Sequence, residues 1–315
     1  MNEFCSPANE NNKYCFSKKS LLNMISVWNS LKIQKINVKN TMTSRMLFNY
    51  LYNVMNKYCP KHKYWLWAGI IEKLAEKKGL KNIERIKRKL RLISKKELKP
   101  EKPESWYRNP KTWLSNFDIQ NVMFQYKMTK KYKYDFLGVF PIDFSTVSIN
   151  GTCLYSEFCN MDIKNYVKKG IKFIGFITNL DKHDEPGSHW TSSFIVIDPS
   201  LPTFGAYYYD STGRPMPVYL QNFMNNIKKQ CNELYPNTPF NIIQNKKQHQ
   251  YKNSECGVFS MLFQLRWINK HIVKKNNTSF EEIIGNPYIN DEQMLKIRDH
   301  LFRPNTKMEL KKIQI

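Results

Sequence analysis

The first hundred residues carry apolar positions among polar ones in a way that reads as helix around Lys19–Ser30, Thr43–Lys57 and Lys63–Leu98, the last interrupted at Gly79. In its densest part, "KLAEKKGLKNIERIKRKLRLISKKELK" from Lys73, Leu74, Ile83, Ile86, Leu90 and Leu92 stand among charges, the pattern of a basic amphipathic helix. The tract "ELKPEKPES", with two prolines and dense charge, reads as a linker. It divides the chain into a basic, mainly helical arm over 1–105 and a second domain over 106–315.

Beyond the linker the period changes. "WLSNFDIQNVMFQY" places Leu114, Ile119, Val122, Met123 and Tyr126 on one face, with Ser115 as N-cap and Asp118 three residues later. Three strand-like runs follow, "KFIGFIT", "HWTSSFIVID" and "FGAYYYD", separated by "DKHDEPGS" and "PSLP". A helix from Pro217, a short strand "FNIIQN" and a last helical run "CGVFSMLFQLRWINK" complete the pattern. Strands and helices are segregated, so the fold class is α+β, an antiparallel sheet flanked by helices with an N-terminal helical arm.

Composition narrows the picture. The 315 residues contain no apolar run long enough for a membrane span, and the polar start "MNEFCSPANENNKYC" is not a secretory signal, so an intracellular protein is expected. Seven cysteines, an odd number without C-x-x-C spacing, argue against both zinc and a disulfide framework. Residues 1–105 hold 23 Lys and Arg against 8 Glu, a net +15 of the chain's +24. That arm could face nucleic acid or another polyanion, or be a solvated surface.

The chemistry gathers around Cys256. In the last helix Val258, Met261, Leu262, Leu265 and Ile268 keep helical spacing, which puts Cys256 in the first turn. There the free N–H groups and the helix dipole favour a thiolate. A nucleophilic thiolate needs a basic partner, a group to orient it and donors for the oxyanion. His189 opens one strand and Asp210 closes the next, so neighbouring hairpin strands would bring them to one sheet edge. Gln250 precedes Cys256 by six residues. Taken singly, His189 could be a surface turn residue, Asp210 an Asx-turn residue, Gln250 a loop side chain and Cys256 a small buried apolar group.

Together "WLSNFDI", "GSHW", "YYYDSTG", "Q…ECG" and the helix after it resemble the Ulp1-like cysteine proteases, which include SUMO-specific proteases and adenovirus protease. The resemblance covers roughly residues 106–303. Within it the chain is most similar to the polyprotein-processing proteases of large cytoplasmic DNA viruses, African swine fever virus among them. "DSTG", "HQ…ECG" and "DEQMLKIRDHLFR" from Asp291 have counterparts there. The resemblance implies Cys256 as nucleophile, His189 as base and then acid, Asp210 as its orienter, and Gln250 as oxyanion donor. The African swine fever virus protease has Asn in the orienting place. Trp113 and Trp190 match the pair that sandwiches a Gly-Gly stretch of substrate, and Asn116 a substrate-contacting polar position.

The implied function is a cysteine endopeptidase cutting after Gly-Gly sites in viral structural polyproteins during virion maturation, in host cytoplasm and particle. No metal or cofactor is implied. A SUMO or ubiquitin-like deconjugase keeps the chemistry and changes the substrate. A nucleic-acid- or virion-binding protein working through its arm is the reading from another class.

Overall fold

A computed structural model describes residues 4–9, 14–273, 279–285 and 289–313. The chain divides into two compact units, Met1–Pro110 with Asp299–Ile315, and Lys111–Arg298. The expected domain limits, 1–105 and 106–315, therefore differ from these units mainly at the C-terminal end.

The first unit is built on helices α1 (Lys18–Ser30), α2 (Ser44–Met55), α3 (Trp67–Lys77) and α4 (Ile83–Glu97). Ser17 and Thr43 cap α1 and α2 through their side-chain oxygens. Gly79, at φ +60°, follows the end of α3, where a left-handed turn suits a residue without Cβ. The unit has its own core, with Leu21, Met24, Trp28, Leu51, Trp67, Ile71 and Leu90 all buried. On α4 the buried positions are Leu90 and Ile93, while Leu92, read from the sequence as one of the apolar stripe, is exposed. The C-terminal segment belongs here for physical reasons. Lys63 pairs with Glu309 at 2.8 Å, and buried Arg303 binds Glu101 at 2.5 Å and the Lys99 carbonyl at 3.0 Å.

The second unit holds, in chain order, α5 (Asn116–Lys127), β1 (Tyr134–Pro141), α6 (Ser156–Cys159), α7 (Ile163–Lys168), β2 (Phe173–Asn179), β3 (Trp190–Val196), β4 (Gly205–Tyr209), α8 (Val218–Leu234), β5 (Asn241–Gln244), α9 (Cys256–Trp267), α10 (Phe280–Ile284) and α11 (Asp291–Leu301). The division between units falls inside α11, and α12 (Thr306–Leu310) lies in the first unit. Ser115 and Asp118 form a full capping box on α5. The five strands lie in the order β1-β2-β3-β4-β5. The three central strands are antiparallel, as read from the sequence, whereas β1 and β5 run parallel to their neighbours. The intervening helices explain this: α6 and α7 separate β1 from β2, α8 separates β4 from β5, and crossovers of that kind return the chain in the same direction. β1 carries no turn-bounded alternation and was not anticipated as a strand.

Alternate residues of the sheet feed two layers. Ile174, Phe176, Ile195, Ala206 and Tyr208 join a core with Leu220, Phe223 and Ile227 of α8. On the opposite face Phe194 stacks on Trp267 of α9 at 5.0 Å and Tyr209 on Phe263 at 5.0 Å. Gly175 makes room for this layer, since a Cβ there would lie 2.5 Å from the Tyr134 hydroxyl. The sequence suggests a one-sided amphipathic α9, but burial extends almost around it, from Cys256 through Met261 to Trp267, because sheet and flanking segments enclose it.

The cysteine expectation needs correction. Cys5–Cys15 and Cys153–Cys159 are disulfides, each closing a short local loop, and Cys59, Cys231 and Cys256 are free. Turns bring these pairs together locally, which an odd count without C-x-x-C spacing does not reveal. Among the described residues no helix is long and apolar enough to cross a membrane.

Candidate active site

The register of the central sheet assembles the site. β3 and β4 pair antiparallel from Val196↔Gly205 to Ser192↔Tyr209. His189, just before β3, and Asp210, just after β4, therefore meet at one end. His189 Nε2 lies 2.8 Å from Asp210 Oδ1, and the carboxylate is wholly buried. That same Oδ1 accepts from the N–H and the hydroxyl of Thr212, both at 2.8 Å. Asn245, following β5, clamps the Asp210 backbone. Its Oδ1 accepts from the Asp210 N–H at 2.8 Å, and its Nδ2 donates to the Asp210 carbonyl at 2.7 Å.

Cys256 is the first residue of α9 and is buried. Its thiol lies beside His189 and interacts with the imidazole. Burial disfavours the charged imidazole, but hydrogen bonds to Asp210 and Cys256 and their charges outweigh it and push His189 up to about 9. Burial likewise acts against the Asp210 charge, and His189 with Thr212 outweighs it, so this carboxyl lies below its ordinary value. A protonated imidazole beside a helix-start sulfur can stabilise a thiolate and later donate its proton.

Gln250 is buried against the Asp210 turn. Its backbone N–H donates to the Ser211 carbonyl at 2.9 Å, its Oε1 accepts from the Ser211 hydroxyl at 2.6 Å, and its Nε2 donates to the Lys252 carbonyl at 2.5 Å. Because an amide nitrogen carries two hydrogens, a second donor remains beyond the bond to Lys252.

The three expected substrate contacts lie in one place. Trp113, Asn116 and Trp190 line a groove of about 430 Å³, with Phe140, Tyr155 and His183 along its walls. Ser188 and Trp190, on either side of His189 in sequence, both line it. The Trp190 indole donates to the Leu114 carbonyl at 3.0 Å, and its own carbonyl accepts from Ser260 of α9 at 3.0 Å. Trp113 is about half exposed at 48%. Asn116 begins α5 and accepts from the Phe117 N–H at 3.0 Å, so it also serves the helix start. Gly257 permits the close approach of these parts, since a Cβ there would sit 3.0 Å from Leu114 and 3.2 Å from Trp190.

Sequence reading missed Asn245, the pairing of groove-lining His183 with Asp143 at 2.6 Å, and the buried Glu255–Arg298 pair beside Cys256. Of the Asp210 surroundings the sequence offered only the Asx-turn character of Asp210 itself.

No protein-family model matches the sequence. A protein of Acanthamoeba polyphaga mimivirus named as a thiol protease is 33% identical over 177 residues, 54% of this chain and 54% of that protein. A cysteine protease of African swine fever virus is 30% identical over 137 residues, 44% of this chain and 46% of that protein. The matched stretches span about half the length of these relatives. The crystal structure of an African swine fever virus protease shares the fold, with a TM-score of 0.64, 20% identity and coverage of 97% of both chains.

Proposed function

We propose, for a chain whose relatives are viral cysteine proteases and whose fold is that of the African swine fever virus enzyme, that it is a cysteine endopeptidase working through Cys256, His189 and Asp210. The observation that carries this reading is the buried pair of His189 and Asp210 at 2.8 Å, with the Cys256 thiol beside the same imidazole. The Cys256 thiolate attacks the scissile carbonyl. The resulting oxyanion is met by the backbone N–H of Cys256 and the second amide hydrogen of Gln250. His189 gives its proton to the leaving amine, and the acyl group stays on sulfur. His189 then takes a proton from water, which hydrolyses the thioester and frees the enzyme.

The substrate is a Gly-Gly stretch in a viral structural polyprotein, cut during particle maturation at assembly sites in host cytoplasm and in the virion. Two indoles lining one groove support that specificity, because a slot between flat rings excludes side chains by steric contact. Asn116 contributes a polar contact at the groove. The basic N-terminal unit takes nucleic acid or another polyanion of the particle. Exposed Arg85, Arg88, Arg91 and Lys96 on α4 support that role.

Incubating the 315-residue chain with Gly-Gly-X peptides, and separately with intact SUMO and ubiquitin precursors, tests the reading when the cut bonds are identified by mass spectrometry. Cleavage after Gly-Gly in the peptides is the expected result. Cleavage of folded modifiers alone would transfer the assignment to a deconjugase, and no cleavage with Cys256 reduced would refute it.

A further inference from the structure

Helix α11 has no part in the chemistry just described, yet one of its faces touches three segments of the site. Asp291 and Arg298 are seven residues apart, two helical turns, so both side chains leave the same face about 10 Å apart along the axis. Both are buried. Asp291 Oδ2 accepts from the backbone N–H of Tyr251, the residue after Gln250, at 3.0 Å. Arg298 Nη1 donates to Oε1 of Glu255, the residue before Cys256, at 3.3 Å. Arg298 Nη2 donates to the carbonyl of Thr112, the residue before Trp113.

We propose that α11 is a positioning strut, in which Arg298 sets the spacing between the nucleophile's helix and the Trp113–Leu114 wall while Asp291 holds the Gln250 loop. A buried guanidinium is costly unless its donors are used, and apolar packing of similar volume would be less costly to bury. What an arginine adds is a rigid planar fork that reaches two acceptors in one geometry. Here the acceptors belong to Glu255 and Thr112, 143 positions apart in the sequence. The next residues along the chain, Cys256 and Trp113, are the proposed nucleophile and one side of the proposed slot. Leu114 extends the tie, because its carbonyl holds the Trp190 indole and its side chain meets Gly257. One side chain thus fixes the distance between attacking sulfur and substrate wall.

The inference uses the Gly-Gly reading for one of its readouts, and the test separates the two. Arg298→Lys in the 315-residue chain keeps the charge but reaches only one of the two acceptors at a time. With a folded variant, the kcat/KM preference for Gly-Gly over Gly-Ala peptides should fall about tenfold, as small misplacements of substrate do. Alkylation of Cys256 by iodoacetamide, which needs no wall, should be unchanged. Amide exchange across residues 112–116 should quicken. A purely structural Arg298 would lower cleavage and alkylation together and leave the Gly/Ala ratio intact, which overturns the proposal. If the wild-type enzyme shows no preference for Gly, the slot reading fails and the exchange of 112–116 alone decides, with unchanged exchange refuting the strut. Should Arg298→Lys not fold, the paired variant Glu255→Gln with Arg298→Gln removes both charges at once and is read by the same measurements.

Discussion

Replacing Asp210 by Asn isolates the charge of the proposed triad from its geometry. Asp210 Oδ1 takes hydrogen bonds from His189 Nε2, the Thr212 N–H and the Thr212 hydroxyl, all at 2.8 Å. An asparagine keeps an oxygen for these donors and removes the negative charge. His189 is raised from 6.5 to about 9 against the opposing effect of burial. That difference, roughly 2.5 pH units, corresponds to about 3 kcal/mol favouring the imidazolium, shared between Asp210 and Cys256. Loss of the Asp210 share should bring the imidazole down.

The direction of the pH effect follows from linkage. The folded value of His189 lies above the unfolded one, so its stabilisation is fully present below pH 6.5 and is lost as pH rises through about 9. Denaturant titrations across that window should show wild type losing stability with rising pH, and Asp210→Asn losing less of it and at lower pH. The alkaline limb of peptide hydrolysis should move toward neutrality in the variant, with the smallest activity difference below pH 6.5. Superimposable limbs would refute the claim that Asp210 holds the imidazolium. A folded variant as inactive as Cys256→Ala at every pH would refute the claim that orientation alone sustains turnover.

Cys256→Ala should abolish cleavage while the protein still folds, and retained activity in the folded variant, measured with a Gly-Gly peptide, would contradict the proposed nucleophile. Among the three free thiols, burial pushes Cys59 and Cys231 up to about 12, so brief iodoacetamide treatment of the native protein followed by peptide mapping should mark Cys256 first. Labelling of all three at one rate would count against an activated pair. Trp190→Ala should leave a folded enzyme that accepts Ala in place of the second Gly, read as a fall in the Gly/Ala ratio of kcat/KM, whereas simple unfolding would assign Trp190 to packing. Binding of the whole chain to single- or double-stranded nucleic acid should weaken with salt at a log–log slope of roughly −0.7 to −0.9 per phosphate neutralised, and salt-insensitive or absent binding would remove the polyanion role from the basic unit.

Much of the fold was legible because its signals are local. Ser115 announces its helix start within a few residues, and β2, β3 and β4 are bounded by turn-rich tracts. β1 escaped because its neighbour is not the next hairpin strand but β2, reached through two short helices. The same limit hid the membership of residues 299–315 in the first unit. Their attachments, Lys63–Glu309 and Glu101–Arg303, join residues about two hundred or more positions apart, and polar pairing over such distances leaves no period to read.

The candidate site divides along the same line. Cys256, His189 and Asp210 each stand at the end of a regular element, where a strand or helix boundary in the sequence already fixes their direction. Asn245, Glu255 and Arg298 act through long-range hydrogen bonds, which leave no local period or turn signature to read. Asp210 joins the two kinds. Read alone it is an Asx-turn residue, and its Oδ1 does accept from the Thr212 N–H. The same oxygen faces His189. The turn is what holds the carboxylate still, with donors that favour its charged form, and a fixed, ionised carboxylate is what an imidazolium needs beside it. The bland reading of Asp210 is thus the physical basis of the functional one.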